Sequence, residues 1–173
     1  MNHLEYIQQE AGKNWAFHMD NLESLQRESN TTLTFLYVVI SASFSGAVKL
    51  FSGGHSVGLA LALSILCVYL AVLAAYLIFS CLMARTVKSP ANEPKNLKIP
   101  PPEEGKNPYT SEQIQDFELE NLQSRIEFNR NRNDKTARHL NIVRVMICAS
   151  PIIFLLAIAF FGALSALCGE NWF

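Results

Sequence analysis

Residues 127–140 read EFNRNRNDKTARHL, and from residue 145 the chain runs through VMICASPIIFLLAIAFFGALSALCG, 25 residues without a charge. Neither glycine nor proline separates the two stretches, so nothing ends a helix between them. The arrangement predicts one continuous helix that rises from the cytoplasm into a bilayer. Its start is marked at Thr110-Ser111-Glu112-Gln113, a capping box with Thr110 at N-cap and Gln113 at N3. At 1.5 Å per residue, the cytoplasmic portion over 111–144 is roughly 50 Å long.

A seam runs along this helix. Leu119, Leu122, Ile126, Asn129, Asn133, Thr136, Leu140, Val143 and Ile147 alternate steps of three and four, the core spacing of a heptad repeat. Its middle is polar, which leaves two readings. Either Asn129, Asn133 and Thr136 meet a neighbouring helix, in the same or another subunit, and set its register, or two short apolar patches flank a solvated middle.

Working outward, two more apolar blocks match the one at 145–169. Residues 31–48 carry no charge and extend to Phe51 if Lys49 snorkels, and residues 57–83 are 27 without a charge. A hydrocarbon core of about 30 Å needs about 20 helical residues, so all three blocks qualify as spans. Too little polar sequence remains to cover three such rods in a soluble fold. The first 30 residues hold Glu5, Glu10, Lys13, Asp20, Glu23, Arg27 and Glu28 and no apolar core of a signal peptide, which leaves the first span as targeting signal and anchor.

The net charge of −1 says little, but the placement of bases says more. Residues 85–144 hold 11 of the 14 Lys and Arg, while the loop SGGHS at 52–56 holds none. The excess of bases on cytoplasmic segments then places the N-terminus and 85–144 inside, with SGGHS and the C-terminus outside. The Asn30-Thr31-Thr32 sequon is accordingly expected to be cytoplasmic and unused.

The first 30 residues set Leu4, Ile7, Ala11, Trp15, His18, Leu22 and Leu25 at steps of three and four, one face of an amphipathic helix that either continues into the first span or bends near Ser29-Asn30-Thr31-Thr32. His18 reads as a partly buried, satisfied histidine. SGGHS permits only a tight antiparallel hairpin. Residues 86–109 contain six of the seven prolines and read as an extended cytoplasmic linker. Small residues four apart mark each span: Ala42 with Gly46, Gly58 with Ala62, Ala71 with Ala75, and Gly162 with Ala166. Gly46, Gly58 and Gly162 are therefore the candidates for close helix packing.

The expected fold is an all-α membrane protein with three transmembrane helices, an N-terminal amphipathic helix and a long cytoplasmic helix continuous with the third span. Its parts are 1–30, an amphipathic helix; 31–84, a two-span hairpin; 85–110, the linker; 111–144, the juxtamembrane helix; and 145–169, the third span. Cys67, Cys81, Cys148 and Cys168 lack CxxC spacing and read as small apolar packing residues. The four histidines are scattered, no nucleophile, P-loop or zinc motif occurs, and no span holds an acid-base pair. No catalytic, cofactor-binding or metal residues are expected, and the chain is not expected to be an enzyme. Glu120, Glu127 and Asp134 dilute the bases around Arg125–Arg138, so nucleic acid is not an expected partner.

An amphipathic cytoplasmic helix, a tight two-span hairpin and a long juxtamembrane helix together resemble the layout of SLATT-type membrane effectors of bacterial antiphage defence loci. Those proteins ordinarily have two spans before the cytoplasmic helix, and a third span is added here. The resemblance implies a self-assembling pore in the bacterial inner membrane, with the C-terminus periplasmic. Read from the residues alone, three classes stand: an oligomeric pore-forming or membrane-disrupting effector, a non-enzymatic adaptor for a cytoplasmic partner, and a holin-like lysis protein. The lipid bilayer and further copies of the chain are the expected partners.

Overall fold

The computed structural model describes residues 3–53, 56–83, 110–169 and 172. The linker expected at 85–110 lies outside them except for Thr110. All regular structure among the described residues is helical: α1 over His3–Gly53, α2 over Val57–Leu77 with a π-helical turn at Ile78–Leu82, and α3 over Ser111–Cys168. Each of the three is long and apolar enough to cross a membrane.

α1 takes the first of its two open courses and runs unbroken through residues 29–32. The hydroxyls there are accommodated without a break. Thr31, Thr32 and Thr34 donate to the carbonyls of Arg27, Glu28 and Asn30 at 3.0, 2.9 and 2.9 Å, so their polar groups are satisfied on the helix itself. α3 is a single 58-residue helix, continuous between 111 and 150 as the lack of Gly and Pro there predicts. Thr110 N–H donates to Gln113 Oε1 at 3.0 Å and Gln113 N–H to Thr110 Oγ1 at 3.4 Å, which closes the capping box reciprocally. Pro151 sits inside α3 and removes one amide donor without ending the helix.

The second apolar block departs from a uniform helix. Met83 N–H bonds the carbonyl of Ile78 at 2.8 Å, five residues back, in the widened turn that closes α2. Cys81, on that turn, directs its Sγ at the Thr136 carbonyl, 3.8 Å away.

Packing divides the chain into two units: Met1–Leu25 with Ala84–Lys135, and Gln26–Met83 with Thr136–Phe173. In the first unit α1 and α3 run in the same direction. Residues 7–17 of α1 face 119–123 of α3 across an open groove of about 760 Å³. Further along both helices, Asn133 Nδ2 donates to the His18 carbonyl at 2.7 Å. Leu22, Ile126, Asn129 and Asn133 are buried in this unit.

In the second unit α2 runs against both other helices. Cys67 Sγ lies 3.9 Å from the Ile40 carbonyl, while Gly46, six residues later in α1, meets Leu63, four residues earlier in α2. Against α3, Tyr69 donates to the Met146 carbonyl at 2.9 Å and the Tyr76 hydroxyl lies 2.6 Å from His139 Nδ1. Leu36, Leu70, Leu77, Leu140 and Val143 form the closed centre, each under 2% exposed. Glu28 and Arg144 bridge α1 and α3 at 2.8 Å on the surface. Near the end of α3, Trp172 accepts the Gly58 N–H at 2.9 Å and so satisfies an orphan donor in the first turn of α2.

Candidate functional site

The outer surface of the second unit contrasts one helix with the other two. Inside the chain, 17% of the most apolar window of α1, 33% of that of α2 and 6% of that of α3 is buried, and each helix leaves exposed residues along its length. On α3 the outward residues include Val145, Ile152, Leu155, Leu156 and Phe160; on α2 they include Ile65, Val68, Val72 and Phe79. These are large and apolar, and lipid chains cover them without loss.

α1 differs in its most outward row. Because Ser29, Leu36, Ser43 and Ala47 face the core, the residues on the opposite side are Arg27, Thr31, Thr34, Val38, Ser41, Ser45, Lys49 and Ser52, spaced by three and four and all exposed. Seven of these eight are polar or charged. Phe35, Tyr37, Phe44, Val48 and Phe51 flank the row, also exposed. Thr31 and Thr34 bond back to their own helix, whereas the hydroxyls of Ser41 and Ser45 have no hydrogen-bond partner among the described residues. Lys49 likewise has no ion-pair partner among them. A hydroxyl without a partner, or a bare ammonium, is costly against hydrocarbon, and snorkelling relieves only the lysine. The chemistry of this row suits water, or the same row on another copy.

The sequence candidates fall in several places. Asn129, Asn133 and Thr136 are buried between helices of this chain, which removes the reading with a solvated middle; the core-facing spacing continues through Leu140 and Val143. Gly58 is buried and Gly46 half-buried, with Leu63 Cδ1 3.3 Å from where a Cβ on Gly46 would stand. Gly162 is half-buried, but Ala42, Ala71, Ala75 and Ala166 are exposed and touch no helix of this chain closely enough to be covered. Cys81 is buried and Cys67 half-buried as packing residues should be, while Cys148 and Cys168 are exposed. His18 is half-buried, with its ring edge-on to Phe17. Among the described residues no group of three or more His, Cys, Asp and Glu is placed to hold a metal.

Reading the sequence missed the outward row because the block 31–48 is judged by its lack of charge, and hydroxyls pass that test. The signal was present as Thr31, Thr34, Ser41, Ser45, Lys49 and Ser52 at one helical spacing. The Tyr76–His139 pair had no sequence signal, since its partners are 63 positions apart. Compared with known proteins, the chain matches no family model, no curated protein and no solved structure.

Proposed function

We propose that the chain is a multi-pass protein of a bacterial inner membrane that acts by self-assembly, with the α1 rows of several copies turned toward a common water-filled path. The observation that carries this reading is the contrast between the polar outward row of α1 and the large apolar faces of α2 and α3. In a single copy that row would meet lipid; in a ring of copies it meets water, and the apolar faces stay outside. Copies in one membrane share an orientation, so their α1 helices are parallel and bring equivalent residues to the same depth. The layout shared with SLATT-type effectors points the same way.

The orientation follows from the bases: the N-terminus and 85–144 inside, SGGHS and the C-terminus outside. Helix directions agree with the N-terminus and 85–144 sharing one side, because α1 and α3 are parallel within each unit and α2 opposes them. Asn129, Asn133 and Thr136 keep their proposed role of setting register in the cytoplasmic helices, and Gly46, Gly58 and Gly162 theirs of allowing close approach.

A second reading has its own observation. The groove of the first unit is bordered by Phe17, and Tyr6, Phe117 and Phe128 are also exposed in that unit, a surface fit for a cytoplasmic protein partner of an adaptor. Mass measurement of the purified protein in detergent, followed by flux from liposomes, separates the two. An oligomer that releases trapped ions, and that loses release when Ser41→Leu and Ser45→Leu are combined, supports the pore. A monomer that releases nothing leaves the adaptor.

A further inference from the structure

We infer that the path lined by α1 passes small monovalent anions in preference to cations, with Lys49 setting the preference. The inference rests on the pore reading. Along the outward row the two charges are both positive, one at each end. They lie 22 positions apart, which at 1.5 Å per residue is about 33 Å, close to the thickness of a bilayer's hydrocarbon core. Arg27 therefore falls at the inner mouth and Lys49 at the outer one.

Between them the row contains no acid. Glu28 pairs with Arg144 at 2.8 Å, and Arg27 and Glu23, one turn before it, are each engaged in contacts of their own, so the charge that the row leaves unmatched is Lys49. Glu170, the acid beyond the third span, lies outside the described residues. Symmetry multiplies the effect. Every copy in a ring adds one lysine at the same depth, and a ring of like charges concentrates counter-ions at a mouth whose walls have low dielectric constant.

The hydroxyls add a second, local contribution. An anion that sheds part of its water needs donors, and a carbonyl-bonded hydroxyl has already used its only proton. Thr31 and Thr34 are in that state. Ser41 and Ser45 are not, since no partner among the described residues takes their protons. They sit one turn apart, with Lys49 one turn beyond Ser45, so the free donors lie on the side of the path nearest the lysine. A cation would find only hydroxyl lone pairs there and a positive ring above them.

The test uses the full chain in planar bilayers or liposomes under a gradient of potassium chloride. The expected zero-current potential lies toward the chloride equilibrium value, with chloride several-fold more permeant than potassium. Lys49→Glu should reverse that order, and Lys49→Gln, which introduces no new charge, should reduce it. Ser41→Ala with Ser45→Ala should lower chloride conductance without changing the sign of the potential. Conductance that favours potassium in the unaltered protein, or selectivity indifferent to both Lys49 variants, overturns the anion preference and leaves the pore standing. The absence of any conductance from an inserted, oligomeric protein overturns the pore and the preference together.

Discussion

Replacing Asn133 tests whether the polar middle of the α3 seam holds the first unit together. Its Nδ2 donates to the His18 carbonyl at 2.7 Å and the residue is 6% exposed. Asn133→Ala removes that bond, worth about 0.5–1.5 kcal/mol net, and leaves part of a cavity; the expected loss is about 1–2 kcal/mol. Asn133→Leu behaves differently. The His18 carbonyl keeps its own helical bond, so losing the amide strands no acceptor, and burial of the isobutyl group contributes about 1.5–3 kcal/mol. The net change is stabilising by about 1 kcal/mol. In a chain of this size, 1 kcal/mol moves the melting temperature by about 2–4 °C, read as loss of far-ultraviolet ellipticity in mild detergent. Asn133→Ala should melt below the parent protein and Asn133→Leu above it. A parent-like Asn133→Ala, or an Asn133→Leu that melts several degrees lower, would refute the reasoning. Register is a separate question, because a main-chain acceptor recurs along α1 and cannot alone select one heptad. If Asn129 and Asn133 select it together, Asn129→Leu with Asn133→Leu should raise stability and broaden the distribution of assembly masses; an unchanged mass removes that role.

Gly46→Ala should be nearly neutral, since the 3.3 Å contact falls on the end of the Leu63 side chain, whereas Gly46→Leu should cost about 1–3 kcal/mol by overpacking. An unaffected Gly46→Leu would mean that α1 and α2 do not approach this closely. Tyr76→Phe should lower stability by about 0.5–1.5 kcal/mol through loss of the 2.6 Å bond to His139, while Glu28→Gln should change it by less than about 1 kcal/mol, because both partners of that ion pair are 46% exposed. In a background without native cysteines, an impermeant thiol reagent added to intact cells should label Gly54→Cys and Trp172→Cys and spare Gly105→Cys. Labelling confined to position 105 would invert the topology.

What the sequence alone determined is what depends on neighbours along the chain. Uninterrupted apolar length made three helices able to cross a membrane, the absence of Gly and Pro between Thr110 and Pro151 joined the cytoplasmic helix to the third span, and Thr110 with Gln113 marked where it begins. These follow from hydrogen bonds between residues three to five positions apart, which a linear reading contains. The burial of Asn129, Asn133 and Thr136 was half legible: their spacing put them on one stripe, but only the helices packed against that stripe made them core rather than surface. Other features depended wholly on which helices met. The Tyr76–His139 and Glu28–Arg144 pairs join distant positions, and the π turn that aims Cys81 at Thr136 has no marker in its own residues. The outward row of α1 is the clearest case. Its spacing is written in the sequence, yet a helix has several such rows, and only the packing of Leu36 and its neighbours inward decides that hydroxyls and two bases are left to face out.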